Sequence, residues 1–452
     1  MKIAVVGAGI SGLSAALLLG ARNEVTLFEA NDRLGGHSNT IDVAGDAGES
    51  VPVDTGFIVY NVAAYPNLIG MFSHLDVETV PTEMSFSVSL ADGAFEYTGN
   101  GLPGLFAQRR NALSPTHWRM IIDIVRFFRH AAQLDPSAID PAETLRTFLA
   151  RHNYGSAFMM RHVAPMGAAI WSTPAEQILE FPAAAFIRFF ANHGLLQLAD
   201  RPQWRTVVGG SRAYVTRIRE RFPGRVVVGD PVIEVRRTPS GVRLATARGN
   251  GPLAFDACVI ACHADQALAI LADPSEDEAR LLGAFSYARN EAVLHADSRL
   301  MPRRPRAWTS WNYLGETLKE TSPLCVTYWM NRLQPLALRK NVFVTLNPWR
   351  AIDPTCILSR MSYTHPIFDL SAMKAQRDLW SLQGVRATWF AGSYFGYGFH
   401  EDGVQSGVAV AEDLGGLSRP WAVPENRARD RILSPLARQP GRPLGPRLAA
   451  AS

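Results

Sequence analysis

Apolar and polar positions alternate along this chain in two rhythms. Near the start, a short apolar run from Ile3 to Val6 meets the glycines Gly7, Gly9 and Gly12, and an Ala/Leu-rich helical stretch reaches Gly20. A second strand, NEVTLFEA, comes next and closes on Glu29 and Ala30. The run CVIAC (Cys258 to Cys262) is also strand-like, and GRVVVGDPVIEVRRTPSGVRL reads as two strands joined by a Pro-Ser-Gly turn. PLCVTYWMNRL and KNVFVTLNPW alternate apolar with polar residues, a strand pattern. Between Thr116 and Leu134 the rhythm turns helical, with Trp118, Ile121, Ile122, Val125, Phe128 and Ala132 at helical spacing. Arg119, Arg126, Arg129 and His130 lie mostly to one side of that helix. Two readings fit it: a helix lying on anionic lipid, or a core helix with snorkelling arginines.

The opening strand, glycines and helix carry chemistry. A first glycine permits a tight turn, a second lets backbone approach a pyrophosphate, and a third lets helix pack on strand. The phosphates then sit at the positive helix N-terminus. Glu29 falls 22 residues after Gly7, close to the ~20 at which a ribose-binding acid is expected. A carboxylate there accepts hydrogen bonds from ribose hydroxyls and repels a 2′-phosphate. The order strand, glycines, helix, strand, acid therefore predicts a dinucleotide site on an α/β fold.

The residues after Glu29 narrow the dinucleotide. Arg33 and the pair Gly35–Gly36 complete E-x-x-x-R-x-G-G, which resembles the flavin amine oxidase and phytoene desaturase superfamily. VPVDTGFIVYN (Val51 to Asn61) resembles that family's segment beside the flavin, and TWFAGSYFGYGFHEDGVQSGVAVAEDL (Thr388 to Leu414) its C-terminal flavin motif. FDACVIACHADQAL resembles its strand-and-turn V-I-x-A-x-P, with His263 where the family often has Pro. The resemblance implies a Rossmann-like FAD-binding domain of the amine-oxidase type with an inserted α+β substrate domain. It implies non-covalent FAD, held by Gly7, Gly9, Ile10, Ser11, Gly12, Glu29, Ala30, Arg33, Gly35, Gly36, His37, Thr55, Gly56, Phe57, Val232, Gly392, Gly403, Val404, Gln405 and Gly407. Val232 marks a backbone contact to adenine, and a helix opening near Gly403 would aim its N–H groups at the flavin. His37 stands where relatives often carry Arg. No cysteine lies beyond Cys356, so the cysteinyl-flavin link of some amine oxidases has no counterpart. The lysine that orients water in many amine oxidases has no clear match; Lys319 and Lys340 are the nearest options.

The flavin pieces fall at 1–75, 207–272 and 382–416, leaving 76–206 and 273–381 for the substrate domain. No second G-x-G-x-x-G lies between a strand and a helix, so a separate NAD(P)H domain is not expected and an external acceptor must reoxidise the flavin. Aromatic residues crowd both inserts, where they can form a cage over the flavin or a greasy wall. Tyr65 to Ser89 and Arg201 to Val215 resemble a bacterial branch of FAD-binding oxidoreductases associated with cyclopropane-type fatty acyl modification. That resemblance implies dehydrogenation of a modified acyl chain of a membrane phospholipid. Amine oxidation, a non-redox FAD-dependent isomerase and a lipid-binding flavoprotein are the alternatives. His400, Glu401 and Tyr60 are the candidate catalytic residues, with His193 and His365 behind them. Glu401 has a second reading as the cap of the helix near Gly403.

Composition changes the picture in few places. The formal charge is +4, but from Ser418 to Ser452 seven arginines face Glu425 and Asp430, so the rest of the chain is near neutral. That balance argues against nucleic-acid binding by the folded part. The segment 417–452 is Pro- and Arg-rich without periodicity and reads as a disordered tail, either frayed or a tether to an anionic membrane. Four cysteines form no disulfide framework, Cys258 and Cys262 are not at zinc spacing, and no metal is expected. The motif starting at Ile3 leaves no room for a signal peptide, and no apolar run is long enough to span a bilayer. A cytoplasmic protein is expected, with peripheral contact at the inner membrane face left open.

Overall fold

The computed structural model describes residues 1–197, 201–249, 251–317 and 324–423. Its first layer is a five-stranded parallel sheet. The strands are β1 (Lys2–Val6), β2 (Glu24–Glu29), β3 (Arg225–Val228), β4 (Ala257–Ile260) and β5 (Thr388–Phe390), in the spatial order β3-β2-β1-β4-β5. All five come from the segments with strand-like apolar runs. Ile3, Ala4, Val5, Cys258, Val259 and Ile260 are fully buried, as strands covered on both faces must be. An antiparallel sheet of Val232–Thr238, Gly241–Thr246 and Leu253–Phe255 leads from β3 to β4.

Helix α1 (Ile10–Gly20) comes after β1, and the long C-terminal helix, His400–Asp413, packs along it. The approach is close because both helices put small residues at the contact. A Cβ on Gly407 would stand 2.2 Å from the Ser11 carbonyl oxygen and 2.4 Å from Ser14 Oγ. One on Gly403 would stand 2.7 Å from the Ile10 side chain. The C-terminal helix begins at His400, three residues earlier than the glycines suggest, and the Gly403 N–H already pairs with the Phe399 carbonyl. Gly403 and Gly407 are therefore glycines at which the two helices pack closely.

The second layer is a seven-stranded sheet. Its order is Ile357–Ile367, Ser286–His295, Phe343–Leu346, Val326–Trp329, Trp311–Gly315, Phe86–Leu90 and Phe95–Thr98. Both of its edges and its middle come from the two inserts, and helices from the first insert lie beside it. Two of these are α3 (Gly101–Leu105) and the longest, α4 (Pro115–Gln133), whereas α2 (Pro66–His74) belongs to the first flavin piece. The buried stripe of α4 is His117, Met120, Asp123, Ile124, Phe127, Phe128 and Ala131. This corrects the face drawn from apolar spacing, because Trp118 and Ile122 point to solvent. The pattern misled because the stripe holds two polar residues that have buried partners. His117 Nε2 meets the Leu105 carbonyl at 2.9 Å, and Asp123 accepts from the Gly155 N–H at 2.9 Å.

Two smaller expectations resolve here. His263 has φ −64°, an angle that a proline would also adopt at this turn after β4. The tail does not begin at 417: Arg419 is paired with Glu412 and Asn67, and Trp421 lies over Gly70. The rest of that segment, 424–452, and Lys319 lie outside the described residues. Among the described residues no helix is long and apolar enough to cross a membrane.

The helix contact yields a test. Gly407→Ala forces a methyl into backbone and hydroxyl atoms, an overpacking cost of about 1–3 kcal/mol. A lower thermal midpoint by calorimetry is expected, and an unchanged midpoint would show that the two helices are not in this contact.

Candidate functional site

Four segments converge: the loops after β1, after β2 and after the strand Ser50–Asp54, and the start of the C-terminal helix. Gly7, at φ +100°, turns the chain under the Ala261 carbonyl, and a Cβ on Gly12 would stand 1.8 Å from the Gly7 carbonyl oxygen. Gly9 differs from both, because a Cβ there would meet nothing within 4 Å. Gly9 is also the N-cap of α1, with no side-chain cap and no acid in the first turn. The N–H groups at Ile10 and Ser11 thus open onto space with a positive helix end behind it, which is an anion cradle.

Glu29 ends β2 beside that cradle. Its Oε2 accepts from the Ala8 N–H at 2.8 Å, and Oε1 accepts from Asn31 N and Nδ2 at 3.0 and 2.8 Å. Val228 is in register with Glu29, and the Gly229 N–H donates to the Asn31 carbonyl at 2.7 Å. Val232, at the start of the next strand, is thereby kept on the same side, while Ala30 is exposed. Gly35 and Gly36, at φ +110° and +57°, form the second loop. The Gly35 N–H donates to the Ala8 carbonyl at 2.8 Å, and Gly36 lies against Gly9. The Arg33 guanidinium holds this loop through the carbonyls of Gly36 (2.8 Å) and Ser38 (3.4 Å).

The third loop brings Thr55, Gly56 and Phe57 against the second. The Phe57 N–H donates to the His37 carbonyl at 2.8 Å, and Gly56 is pressed on the same oxygen. Thr55 Oγ1 bonds to the Asn39 carbonyl and to Tyr363 Oη at 3.0 and 2.7 Å. Asp54, just before it, is fully buried and accepts from Ser211, Thr40 and Gln334. Burial raises its carboxyl to about 6. The fourth loop is the start of the C-terminal helix. The His400 ring stacks on Phe57 at 3.7 Å, and its Nε2 lies 3.0 Å from Ser38 Oγ and 3.1 Å from Tyr214 Oη. Gly392 is tied to this helix by its N–H on Ser406 Oγ at 2.9 Å, and Val404 is buried within the packing.

Two candidate catalytic residues stand apart. Both Glu401 carboxylate oxygens are used at the start of α2, accepting from Asn67 N, Asn67 Nδ2 and Leu68 N at 2.8–2.9 Å, and Gln405 adds a fourth bond. Glu401 is a cap, but of α2 and not of its own helix. Tyr60 donates its hydroxyl to Thr79 and packs on Tyr65 and Phe72. His193 is likewise a core residue, stacked on Phe189 at 3.9 Å.

Sequence reading missed the imidazole group at the centre. The His37 ring stacks on Tyr363 (5.1 Å) and lies 5.2 Å from His365 and 6.2 Å from His263. Asn290 Nδ2 donates to His365 Nδ1 at 2.9 Å, which puts the ring proton on Nε2. Burial lowers all of these imidazoles: His37 falls well below its ordinary value, His365 to about 4 and His400 to about 3. At neutral pH the group is uncharged. Ser38 stood next to His37 in plain view, but Tyr214 and Tyr363 arrive from 176 and 324 residues away from their partners.

These buried imidazoles predict an acid-labile protein. The unfolded chain takes up protons near 6.5 while the folded chain resists to about 4 or about 3. Their stabilisation is whole above 6.5 and is lost as the pH falls toward 4. Asp54, raised to about 6, and Glu401, also raised by burial, act in the opposite sense but are outnumbered by the histidines. Denaturant midpoints should fall between pH 6.5 and 4, less steeply in His365→Gln; a flat profile would contradict the buried, neutral assignment.

The same fold occurs in known proteins. The chain matches the family of flavin containing amine oxidoreductases over residues 10–335. It is 25% identical over 343 residues to AofH of Mycobacterium tuberculosis, assigned as a flavin-containing monoamine oxidase, spanning 73% of this chain and 70% of that one. Putrescine oxidase bound to putrescine has a TM-score of 0.65 at 18% identity, covering 92% of this chain and 99% of that chain. The CLA-producing fatty acid isomerase from P. acnes has a TM-score of 0.64 at 14% identity, covering 91% and 97%. The open cradle at Gly9, the acid Glu29 at the end of β2 and the paired glycine loops fit a flavin dinucleotide. The chain belongs to the flavin containing amine oxidoreductase family and is an FAD-dependent oxidoreductase.

Proposed function

We propose that this enzyme dehydrogenates a hydrophobic substrate, the acyl chain of a membrane phospholipid, with FAD held non-covalently. The observation that carries the reading is that the described residues at the centre of the site offer no available negative charge. The imidazoles of His37, His365 and His400 are neutral. Asp54 and Glu401 have their oxygens occupied by protein donors, and Glu29 lies at the ribose end. Lys2, Lys340 and Lys374 are exposed at the surface. A protonated amine entering this space would lose its water without gaining a carboxylate, a cost that an acyl chain does not incur.

FAD supplies the two-electron acceptor for hydrogen leaving the substrate. The chain's residues then have distinct tasks. Ile10 and Ser11 would face the pyrophosphate and Glu29 the ribose, while Phe57, Tyr363 and His37 wall the ring end. His400 is the proton-handling group of this proposal, because Ser38 and Tyr214 hydroxyls lie at its Nε2 and can each donate or accept. Amine oxidation is the second reading, favoured by the assignment given to AofH. The fold does not choose, since a putrescine oxidase and a fatty acid isomerase share it.

The deciding experiment is an anaerobic titration of the yellow protein with total phospholipid or with a panel of amines, following flavin absorbance. Bleaching by lipid, with an acyl chain two hydrogens lighter by mass, is expected. Bleaching by an amine and not by lipid would overturn the proposal. The cofactor site has its own test. Gly9→Ala meets no protein atom, so the apoprotein should keep its thermal midpoint while FAD reconstitution weakens. Glu29→Gln should weaken FAD binding by roughly tenfold or more, the loss of charge-assisted hydrogen bonds. Reconstitution at the native affinity in both variants would place the dinucleotide elsewhere.

A further inference from the structure

The outer face of α4 carries large apolar side chains that stand in solvent. Trp118 is 45% exposed and Ile122, one turn on, is 58% exposed. Leu113, just before the helix, is 87% exposed, and Leu102 in α3 is 68% exposed. These residues belong to one surface. The Trp118 indole N–H donates to the Ala112 carbonyl at 2.9 Å, its ring meets Phe106 at 5.0 Å, and His117 ties the helix to the Leu105 carbonyl. Large apolar side chains at this exposure, gathered on one helix pair, are costly in water and mark a contact surface.

The charge of the same surface chooses the occupant. From Tyr97 to Leu134 the chain carries five arginines and a single acid, Asp123. Asp123 is buried and is paired with Arg119 at 3.3 Å and Arg126 at 3.2 Å. Arg109, Arg110 and Arg129 are exposed on the same segment, Arg110 donating to the Ala94 carbonyl. A second copy docked face to face would bring these arginines together. We infer that α3, the turn Arg109–Leu113 and the outer face of α4 form a docking surface for an anionic phospholipid bilayer. Trp118, Ile122, Leu113 and Leu102 enter the interface, and the arginines meet the lipid phosphates. This inference does not depend on the lipid-substrate proposal, since docking is measured without turnover.

The test is sedimentation of the full-length FAD-loaded protein with vesicles. Mixed phosphatidylcholine–phosphatidylglycerol vesicles should pellet the protein, pure phosphatidylcholine vesicles should not, and added salt should release it. Leu113→Asp with Ile122→Asp should lower the partition coefficient by roughly tenfold or more. Arg109→Glu with Arg129→Glu should lower it by roughly fivefold or more per residue. Both variants should retain the wild-type flavin absorbance and thermal midpoint, because none of the four side chains is in the core. Wild-type protein that stays in solution overturns the inference. So do apolar variants that pellet as wild type does, which would place attachment on another basic segment. A variant that changes only the oligomeric state would assign the face to a protein contact instead.

Discussion

Two helix N-termini must reach the same small volume, and the packing of α1 against the C-terminal helix decides whether they can. The contact is made by Gly403 and Gly407 on one side and Ile10, Ser11 and Ser14 on the other. Because no side chain intervenes, the start of α1 and the start of the C-terminal helix open onto one cradle. The two loops after β2 then close it, tied by Gly35 to Ala8 and by Phe57 to His37. Were the helices held at an ordinary side-chain distance, His400 would not reach Phe57, Ser38 and Tyr214 together. Glu401 reinforces the same geometry from the other direction, since its cap on α2 fixes where the C-terminal helix begins.

The parallel sheet and the cofactor loops were legible in the sequence because each rests on local rules. A continuous apolar strand, a glycine at a turn and an acid at a strand end are constraints that a few neighbouring residues impose on themselves. Glu29 at its strand end and Gly35 and Gly36 at their turn stand where such rules put them. Other features were set by partners remote in sequence. The stripe of α4 looked displaced because His117 and Asp123 are polar yet buried, and only the Leu105 carbonyl and the Gly155 N–H explain why. Gly403 and Gly407 carried the right signal, small residues at a close approach, but sequence could not tell whether flavin or α1 was approaching. The central imidazole group was invisible for the same reason: His37, His263, His365 and His400 come from four separate segments.

That group shows how the fold treats charge near the flavin. Asp54 and Glu401 are paired with protein donors, and His37, His365 and His400 are held neutral by burial. A neutral, desolvated wall does not bind by attraction. It selects by what it fails to offer, so charged molecules are excluded and apolar ones are tolerated. In the proposed reaction the chemistry would belong to the cofactor, and the protein would contribute shape, dryness and the proton-handling group His400.

Such a site puts its difficulty at the entrance. A substrate that is comfortable inside a dry wall is poorly soluble outside it, so its concentration in water is low and its reservoir is another apolar phase. Selection by exclusion is therefore useful only if the enzyme stands near that reservoir, which gives a physical meaning to an apolar, arginine-rimmed face on the substrate-domain side of the molecule. The two features have separate origins in the chain, one in buried histidines and one in an exposed helix face. Neither requires the other for folding, so their presence in one protein points to a shared requirement in its environment.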